Sequence, residues 1–392
     1  MNYRENSKNG DKLSILGYGC LRFTKKGNNI DQEKAEKEML YALQNGVNYF
    51  DTAYTYGGSE VALGKFLAKG YRKDVFIATK LPHYLCKSYE DFDRFFSEEL
   101  ERLQTDYIDY YLMHMITDLT SFNRLKELGI EKWIQDKKEN GQIKNIGFSY
   151  HGGKEGFIQV IDVYDWDFCQ IQYNYLDEHA QAGVEGLKYA SLKGLPVIIM
   201  EPLRGGKLVF GLPEQAVNYF KKEDKSKTPA EWGLRWLWNQ PEVTVVLSGM
   251  NTLEQVNENV RIASETQAGE LTAKQYEMFE QVIKEIKKVE KVGCTGCGYC
   301  MPCPQGVDIP VCFRCYNTKY MDGAYKALKE YILCTTLKIN PSNASKCIQC
   351  GKCEKNCPQG ISIRKELKNV KKNLETPMYK IAKTIMKLRM KY

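Results

Sequence analysis

Four side chains suited to proton chemistry recur at or just beyond the ends of apolar runs. Asp51 lies at the end of VNYFDT, Tyr56 follows five residues later in YTYGG, Lys80 ends VFIATK and His114 ends YIDYYLMH. A phenol with an ordinary pKa of about 10 is a poor acid at neutral pH, but an ammonium beside it favours the phenolate and eases proton donation. An aspartate would hold that ammonium in place, and a neutral imidazole would orient a carbonyl oxygen. Together the four make a device for protonating a carbonyl oxygen while hydride arrives at its carbon.

A second set of residues concerns sulfur. CTGCGYCMPCP carries Cys294, Cys297, Cys300 and Cys303 at even CxxC spacing before Pro304. CIQCGKCEKNCP carries Cys347, Cys350, Cys353 and Cys357 as CxxCxxCxxxC before Pro358. Three thiolates at this spacing wrap one cubane, and a fourth cysteine before proline reaches the other cluster in two-cluster ferredoxins, the type this region resembles. The second run has the full pattern, and the first is one residue shorter before its fourth cysteine. Zinc, the rival, favours two separated CxxC pairs, so three consecutive steps point to iron and sulfur. Cys312 and Cys315 in VCFRC, and Cys334 with them, read as buried thiols.

The elements that must position these groups alternate. The β-rich runs LSILGYGC, VNYFDT, VFIATK, YIDYYLMH, IKNIGFS, FCQIQYN, PVIIM and VTVVLSG are separated by charged segments of helical periodicity, such as 31–44 and 88–103. Repeated β then α predicts a closed parallel barrel with its chemistry at the C-terminal ends of the strands, where Asp51, Lys80, His114, Ser149 and Gln170 fall. An open doubly wound sheet would alternate in the same way, but no GxGxxG follows the first strand. The expected fold is α/β, a TIM (β/α)8 barrel followed by a small, mainly helical iron–sulfur domain. Its expected divisions are the barrel at 1–270, a connector helix at 271–291 opened by Thr272 and Gln275, the ferredoxin-like domain at 292–365, and a basic amphipathic tail at 366–392.

From about Leu13 to Ala263 the chain resembles the aldo/keto reductase family, whose fold is a TIM barrel that uses a nicotinamide cofactor. The resemblance implies that Asp51, Tyr56, Lys80 and His114 are catalytic, with Tyr56 the proton donor. It implies Ser149 and Gln170 at the carboxamide, Gly205 and Gly206 of EPLRGGK at the pyrophosphate, and Glu258 and Asn259 at the adenine. Gly249 and Gln255 stand where many members have a Lys and an Arg for the 2′-phosphate of NADP, and Met200 stands where many have an aromatic against the nicotinamide. Lys207 and Arg261 are the cations left to take that phosphate, so NADP(H) and NAD(H) both stay open. Trp232, Trp236 and Trp238 read as packing, and His151 as a pocket residue.

The net charge of +7 is local. Residues 361–392 hold 10 Lys/Arg and 2 Glu, which leaves 46 cations and 47 anions, a balance of −1, for the rest. The basic excess therefore gives no reason to expect a nucleic-acid partner. Only Cys20, Cys86 and Cys169 precede Cys294, a distribution that argues against a secreted disulfide framework and for a reduced compartment. No run approaches the roughly 18 apolar residues of a membrane span, so a soluble cytoplasmic protein is expected.

A nicotinamide gives up two electrons as hydride, while an iron–sulfur cluster accepts one at a time. The expected function is therefore a nicotinamide-dependent oxidoreductase interconverting a small carbonyl compound and its alcohol, with two appended 4Fe-4S clusters for electron transfer. The alternative is an electron-transfer protein in which the clusters are primary and the barrel holds a flavin or serves for docking. In the tail, MYKIAKTIMKLRMKY, Met378, Ile381, Ile385 and Leu388 form one stripe and Lys380, Lys383, Lys387 and Lys391 another. The apolar stripe is expected to pack on the barrel or the connector helix, and the lysines to be solvated or to steer an acidic electron carrier such as a ferredoxin or flavodoxin.

Overall fold

Eight strands close into a parallel barrel in the computed structural model, which describes residues 1–321, 323–336 and 340–390. They are β1 (Leu16–Gly19), β2 (Tyr49–Asp51), β3 (Phe76–Leu81), β4 (Ile108–Ile116), β5 (Ile143–Tyr150), β6 (Phe168–Gln172), β7 (Val197–Met200) and β8 (Val243–Ser248). Each pairs with its successor, and β8 returns to β1 with Val246 opposite Leu16. The TIM barrel expected from the alternation is thus observed. The run LSILGYGC divides at Ile15, however. Lys12–Ser14 pairs antiparallel with Tyr3–Glu5, and only the second half joins the barrel.

That amino-terminal hairpin contributes Leu13 to the barrel interior. It also satisfies the buried Tyr110 hydroxyl, which donates to Asp11 Oδ2 at 2.6 Å and accepts from Asn6 Nδ2 at 3.0 Å. Inside, Tyr49, Tyr110 and Phe168 meet edge to face, with ring centroids 5.2 Å and 5.0 Å apart. Such large rings fit because Gly147, opposite Phe168 on β5, has no side chain: a Cβ there would lie 2.6 Å from the Phe168 carbonyl oxygen.

Amphipathic helices cover the barrel. Helix Glu90–Leu103, for example, buries Phe92, Phe95, Phe96 and Leu103 on one face. Asp31, Asp118 and Thr252 cap three others by accepting from the backbone N–H three residues on. Trp232, Trp236 and Trp238 are buried, as their packing role requires.

The chain divides into two compact units, Met1–Leu203 with Ala230–Thr272, and Arg204–Pro229 with Ala273–Tyr392. Residues 204–229, placed by sequence within the barrel division, therefore gather with the carboxy-terminal segment. In that second unit helix Glu214–Glu223 packs on helix Ala273–Val289 through Phe220 and Phe279, whose rings are 5.8 Å apart. The cysteine-rich part has its own core, including Val307, Ile309, Phe313, Tyr331, Leu367 and Val370. Helix Ile363–Leu374 runs through position 365 and contributes to that core. Cys312 and Cys315 are fully buried, whereas Cys334 is partly exposed, contrary to expectation.

The tail forms helix Pro377–Met390. Among the described residues, Tyr379 and Ala382 of this helix join the core of the cysteine-rich part. Met378, Ile381 and Ile385 are 67%, 59% and 46% exposed, so the stripe expected to pack faces solvent. Lys391 and the side chains of Lys387 and Leu388 lie outside the described residues. Among the described residues no helix is long and apolar enough to cross a membrane.

Gly147→Ala should destabilise the barrel by about 1–3 kcal/mol, because the added methyl meets backbone rather than a movable side-chain end. Urea denaturation of the mutant checks this, and an unchanged midpoint would show that β5 and β6 can separate at no cost.

Candidate active site

Closure of the barrel brings three strand ends to one carboxylate. Lys80 of β3 donates to Asp51 Oδ1 at 2.6 Å and Oδ2 at 2.7 Å, and to the Thr52 carbonyl at 2.7 Å. Gln170 of β6 donates to Asp51 Oδ2 at 2.9 Å. Asp51, Lys80 and Gln170 are all buried. The Lys80 ammonium stands 5.3 Å from the centroid of the Tyr56 ring, and that ring meets His114 of β4 edge to face at 6.0 Å. Tyr56 comes from the loop after β2 and is half-buried. The four residues singled out by sequence are therefore neighbours at one end of the barrel.

Burial, with the positive Lys80 beside it, holds His114 well below the usual imidazole range, so it is neutral at physiological pH. Two further buried histidines belong to the same barrel. Burial lowers His83 to about 4 and His151 to about 4, so both are neutral at physiological pH. His151 faces Gln181 Oε1 at 3.2 Å, and His83 Nε2 lies 3.5 Å from the Met115 carbonyl.

Met115 itself takes a left-handed backbone, φ 63°, directly after His114. Its N–H donates to Ser149 Oγ at 2.8 Å. Unfavourable backbone of this kind in a β4 residue is a local strain that the surrounding hydrogen bonds must hold. The sequence gives no sign of it, because nothing in MHMIT marks a positive φ.

Sequence reasoning missed other neighbours of the site. Glu60 is buried, accepts from Thr79 Oγ1 at 2.6 Å and from Arg102 at 3.2 Å, and acts electrostatically with Lys80. Tyr84, 42% exposed, places its ring 6.3 Å from His114. Its position just past the end of β3, in LPHYL, was the available signal.

The residues expected to hold the cofactor are dispersed. Ser149 and Gln170 lie beside the four, both buried. Asn259, in helix Leu253–Glu265, donates to Ser248 Oγ at 3.0 Å, and Glu258 precedes it on that helix. Gly205 and Gly206 belong to the second unit and take left-handed conformations, φ 65° and 91°, that require glycine. In the same turn Arg204 donates to both Glu290 oxygens, at 2.9 and 3.1 Å, and Lys207 donates to the Cys294 carbonyl.

The cysteines form two groups. Cys294, Cys297, Cys300 and Cys357 line a pocket of about 310 Å³ with Ile309, Phe313 and Ile363. Cys303, Cys347, Cys350 and Cys353 line another of about 320 Å³, which also meets Ile309. Burial and the neighbouring thiols Cys294, Cys297 and Cys357 push Cys300 up to about 12. Each pocket thus takes three cysteines from one run and the fourth from the other.

The sequence profile of the Aldo/keto reductase family matches residues 15–284, and that of the 4Fe-4S dicluster domain matches residues 293–362. L-galactose dehydrogenase of Arabidopsis thaliana is 29% identical over 66% of this chain and 87% of its own length. The NADH-specific methylglyoxal reductase of Escherichia coli (strain K12) is 25% identical over 59% of this chain and 83% of its own. Among solved structures, the holo form of the aldo-keto reductase AKR11C1 from Bacillus halodurans superposes with a TM-score of 0.60 at 26% identity, covering 72% of this chain and 96% of that one. With a closed eight-stranded barrel, four polar side chains converging at its strand ends and a match over residues 15–284, the chain belongs to the aldo/keto reductase family, NAD(P)-dependent oxidoreductases, and carries a 4Fe-4S dicluster domain behind its barrel.

Proposed function

We propose that the barrel reduces a small aldehyde or ketone to its alcohol, or runs the reverse oxidation, and that the two thiol pockets hold two 4Fe-4S clusters for one-electron transfer. The observation that carries the first part is the Asp51–Lys80 ion pair facing the Tyr56 ring and a neutral His114. Nicotinamide, when bound, supplies or accepts the hydride. Tyr56 gives the proton from its hydroxyl to the carbonyl oxygen. The Lys80 ammonium favours the phenolate left behind, and Asp51 holds that ammonium in place. His114, uncharged, orients the oxygen without competing as an acid. The names of the two enzyme relatives, a sugar dehydrogenase and a methylglyoxal reductase, support a small oxygenated substrate.

The cofactor contacts are read residue by residue. Ser149 accepts from Met115 and, among the described residues, donates to none, so its proton suits a carboxamide oxygen. Gln170 fixes its amino group on Asp51 and suits the carboxamide with its oxygen. Glu258 and Asn259 take the adenine, and Gly205 and Gly206 keep the pyrophosphate role that the sequence assigns to them. The 2′-phosphate of NADP finds little. Lys207 is engaged by the Cys294 carbonyl, and Arg261 by Glu231 and Glu265 at 2.6 and 2.8 Å. Arg22, whose stem lies along Gly249, is exposed and offers a single charge. NADH is therefore the favoured cofactor, a choice that the name of the Escherichia coli relative also supports.

For the clusters, the donor set fits. Four thiols surround each pocket, a number that suits a cubane. Cys294, Cys297, Cys300 and Cys357 would hold one cluster, and Cys303, Cys347, Cys350 and Cys353 the other. Each supplies single electrons at a potential set by its surroundings. An acidic electron carrier is the partner such clusters call for.

Tyr56→Phe should lower carbonyl reduction by about 100-fold or more while nicotinamide binding and cluster content stay near wild type. A loss smaller than about threefold in steady-state turnover would remove Tyr56 from the chemistry. With either coenzyme varied, kcat/KM should favour NADH over NADPH by about tenfold or more, and Arg22→Ala should lower the NADPH value further; a preference for NADPH would show that the engaged cations are released on binding. Protein made without oxygen should carry about eight irons. Cys357→Ser should then damage the cluster of the first cysteine run and Cys303→Ser that of the second, as read by electron paramagnetic resonance; damage confined to the mutated run would rule out the crossing.

A further inference from the structure

We infer that the outer edge of the second thiol pocket, around Ile348 and Cys350, is the docking surface for a small acidic protein carrying a one-electron centre. The inference rests on the reading that this pocket holds a cluster. Of the eight cysteines around the two pockets, Cys350 alone is exposed, whereas Cys294 of the first pocket is buried. Ile348, two residues before it, is 62% exposed. An apolar side chain on the rim of a redox site gives a partner something to desolvate against.

Charge selects the partner. Lys346, Lys352 and Lys355, close in sequence to Ile348 and Cys350, are exposed, and among the described residues none has a carboxylate partner. The only carboxylate between Cys347 and Cys357 is Glu354, and Arg364 engages it through the backbone N–H at 2.8 Å and Nε at 2.7 Å. The rim is therefore positive with nothing of its own to neutralise it. Opposite charge on a partner raises the encounter rate, and salt suppresses the gain.

The pocket is also prepared to receive an electron. Gln349 brings its backbone N–H to 3.4 Å and its side-chain Nε2 to 3.3 Å from Cys347 Sγ. Donors aimed at a ligating sulfur stabilise the added negative charge of the reduced state. The first pocket, by contrast, is walled by Ile309, Pro310, Phe313, Ile361 and Ile363. Ile309 lines both pockets, so an electron taken up at Cys350 lies next to the first. In the step itself one electron leaves the reduced centre of the carrier and enters the cluster. The carrier is oxidised by one electron, the cluster is reduced by one, and no bond or proton moves.

The test uses the full chain prepared anaerobically and a reduced acidic ferredoxin as probe, mixed rapidly across about 20–200 mM salt. Reduction should slow steeply with salt in the wild type. Lys352→Glu combined with Lys355→Glu should slow it about tenfold or more at low salt and flatten the salt slope, while dithionite still reduces the clusters of that variant fully. Carbodiimide should crosslink the ferredoxin to Lys346, Lys352 or Lys355. An unchanged rate and slope in the double variant would overturn the proposal, as would an equal effect from Lys380→Glu with Lys383→Glu, which would move docking to the tail helix. A wild type that gives no reduced-cluster resonance with dithionite would overturn it differently, by removing the cluster reading beneath it.

Discussion

Lys80 gives all three of its N–H donors to protein acceptors, the two oxygens of Asp51 and the Thr52 carbonyl. Its ammonium therefore reaches Tyr56 and His114 through its field, without a hydrogen bond of its own to spare. The pair is almost wholly dehydrated, and loss of either partner would strand the other at a cost of about 3–5 kcal/mol. That cost is a constraint on the barrel. Asp51 and Lys80 sit on the paired strands β2 and β3, and Gln170 reaches the same carboxylate from β6 across the barrel, so the three meet only while these strands keep their register. His114 is neutral partly because Lys80 is charged, so the state of one side chain depends on the placement of the other.

The second unit has a comparable fixed point. Arg204, buried and held at φ 48°, grips Glu290, and Lys207 grips the carbonyl of Cys294. The turn that sequence assigns to the pyrophosphate is thus tied to the first cysteine of the sulfur-rich part. Arg204 Nη1 is shared between both Glu290 oxygens and Nη2 meets the Gly293 carbonyl at 3.5 Å, so the turn is tied at two points.

Strand ends were legible because an apolar run that stops at Asp, Lys or His states both its period and its polar terminus. Asp51, Lys80 and His114 could be placed together for that reason, and the barrel with them. The cysteine spacing was legible in the same local sense. What escaped depends on contacts distant in sequence or on backbone angles. Glu60 meets Arg102 across 42 residues, and Arg204 meets Glu290 across 86. Neither has a local signature. Met115 hides a left-handed angle in an ordinary strand sequence. In the tail, period 3.6 identified a helix but not its inner face. Both Met378–Ile381–Ile385 and Tyr379–Ala382 fit the spacing, and Tyr379 prevails because its hydroxyl, 2.9 Å from Thr336 Oγ1, finds a partner when buried.

The chain enters the second unit at Arg204, leaves it at Ala230 and enters it again at Ala273. A module added by fusing one gene behind another would be joined at one seam and could be cut away there. This one has two. The segment 204–229 lies inside the stretch matched by the reductase family, yet it gathers with the chain from Ala273 onward. Grafting residues 293–362 onto a different barrel would leave Arg204, Lys207 and Glu290 behind, and with them the grip on Cys294. Recombination at the apparent boundary of the sulfur-rich part would therefore transmit its cysteines without that anchorage.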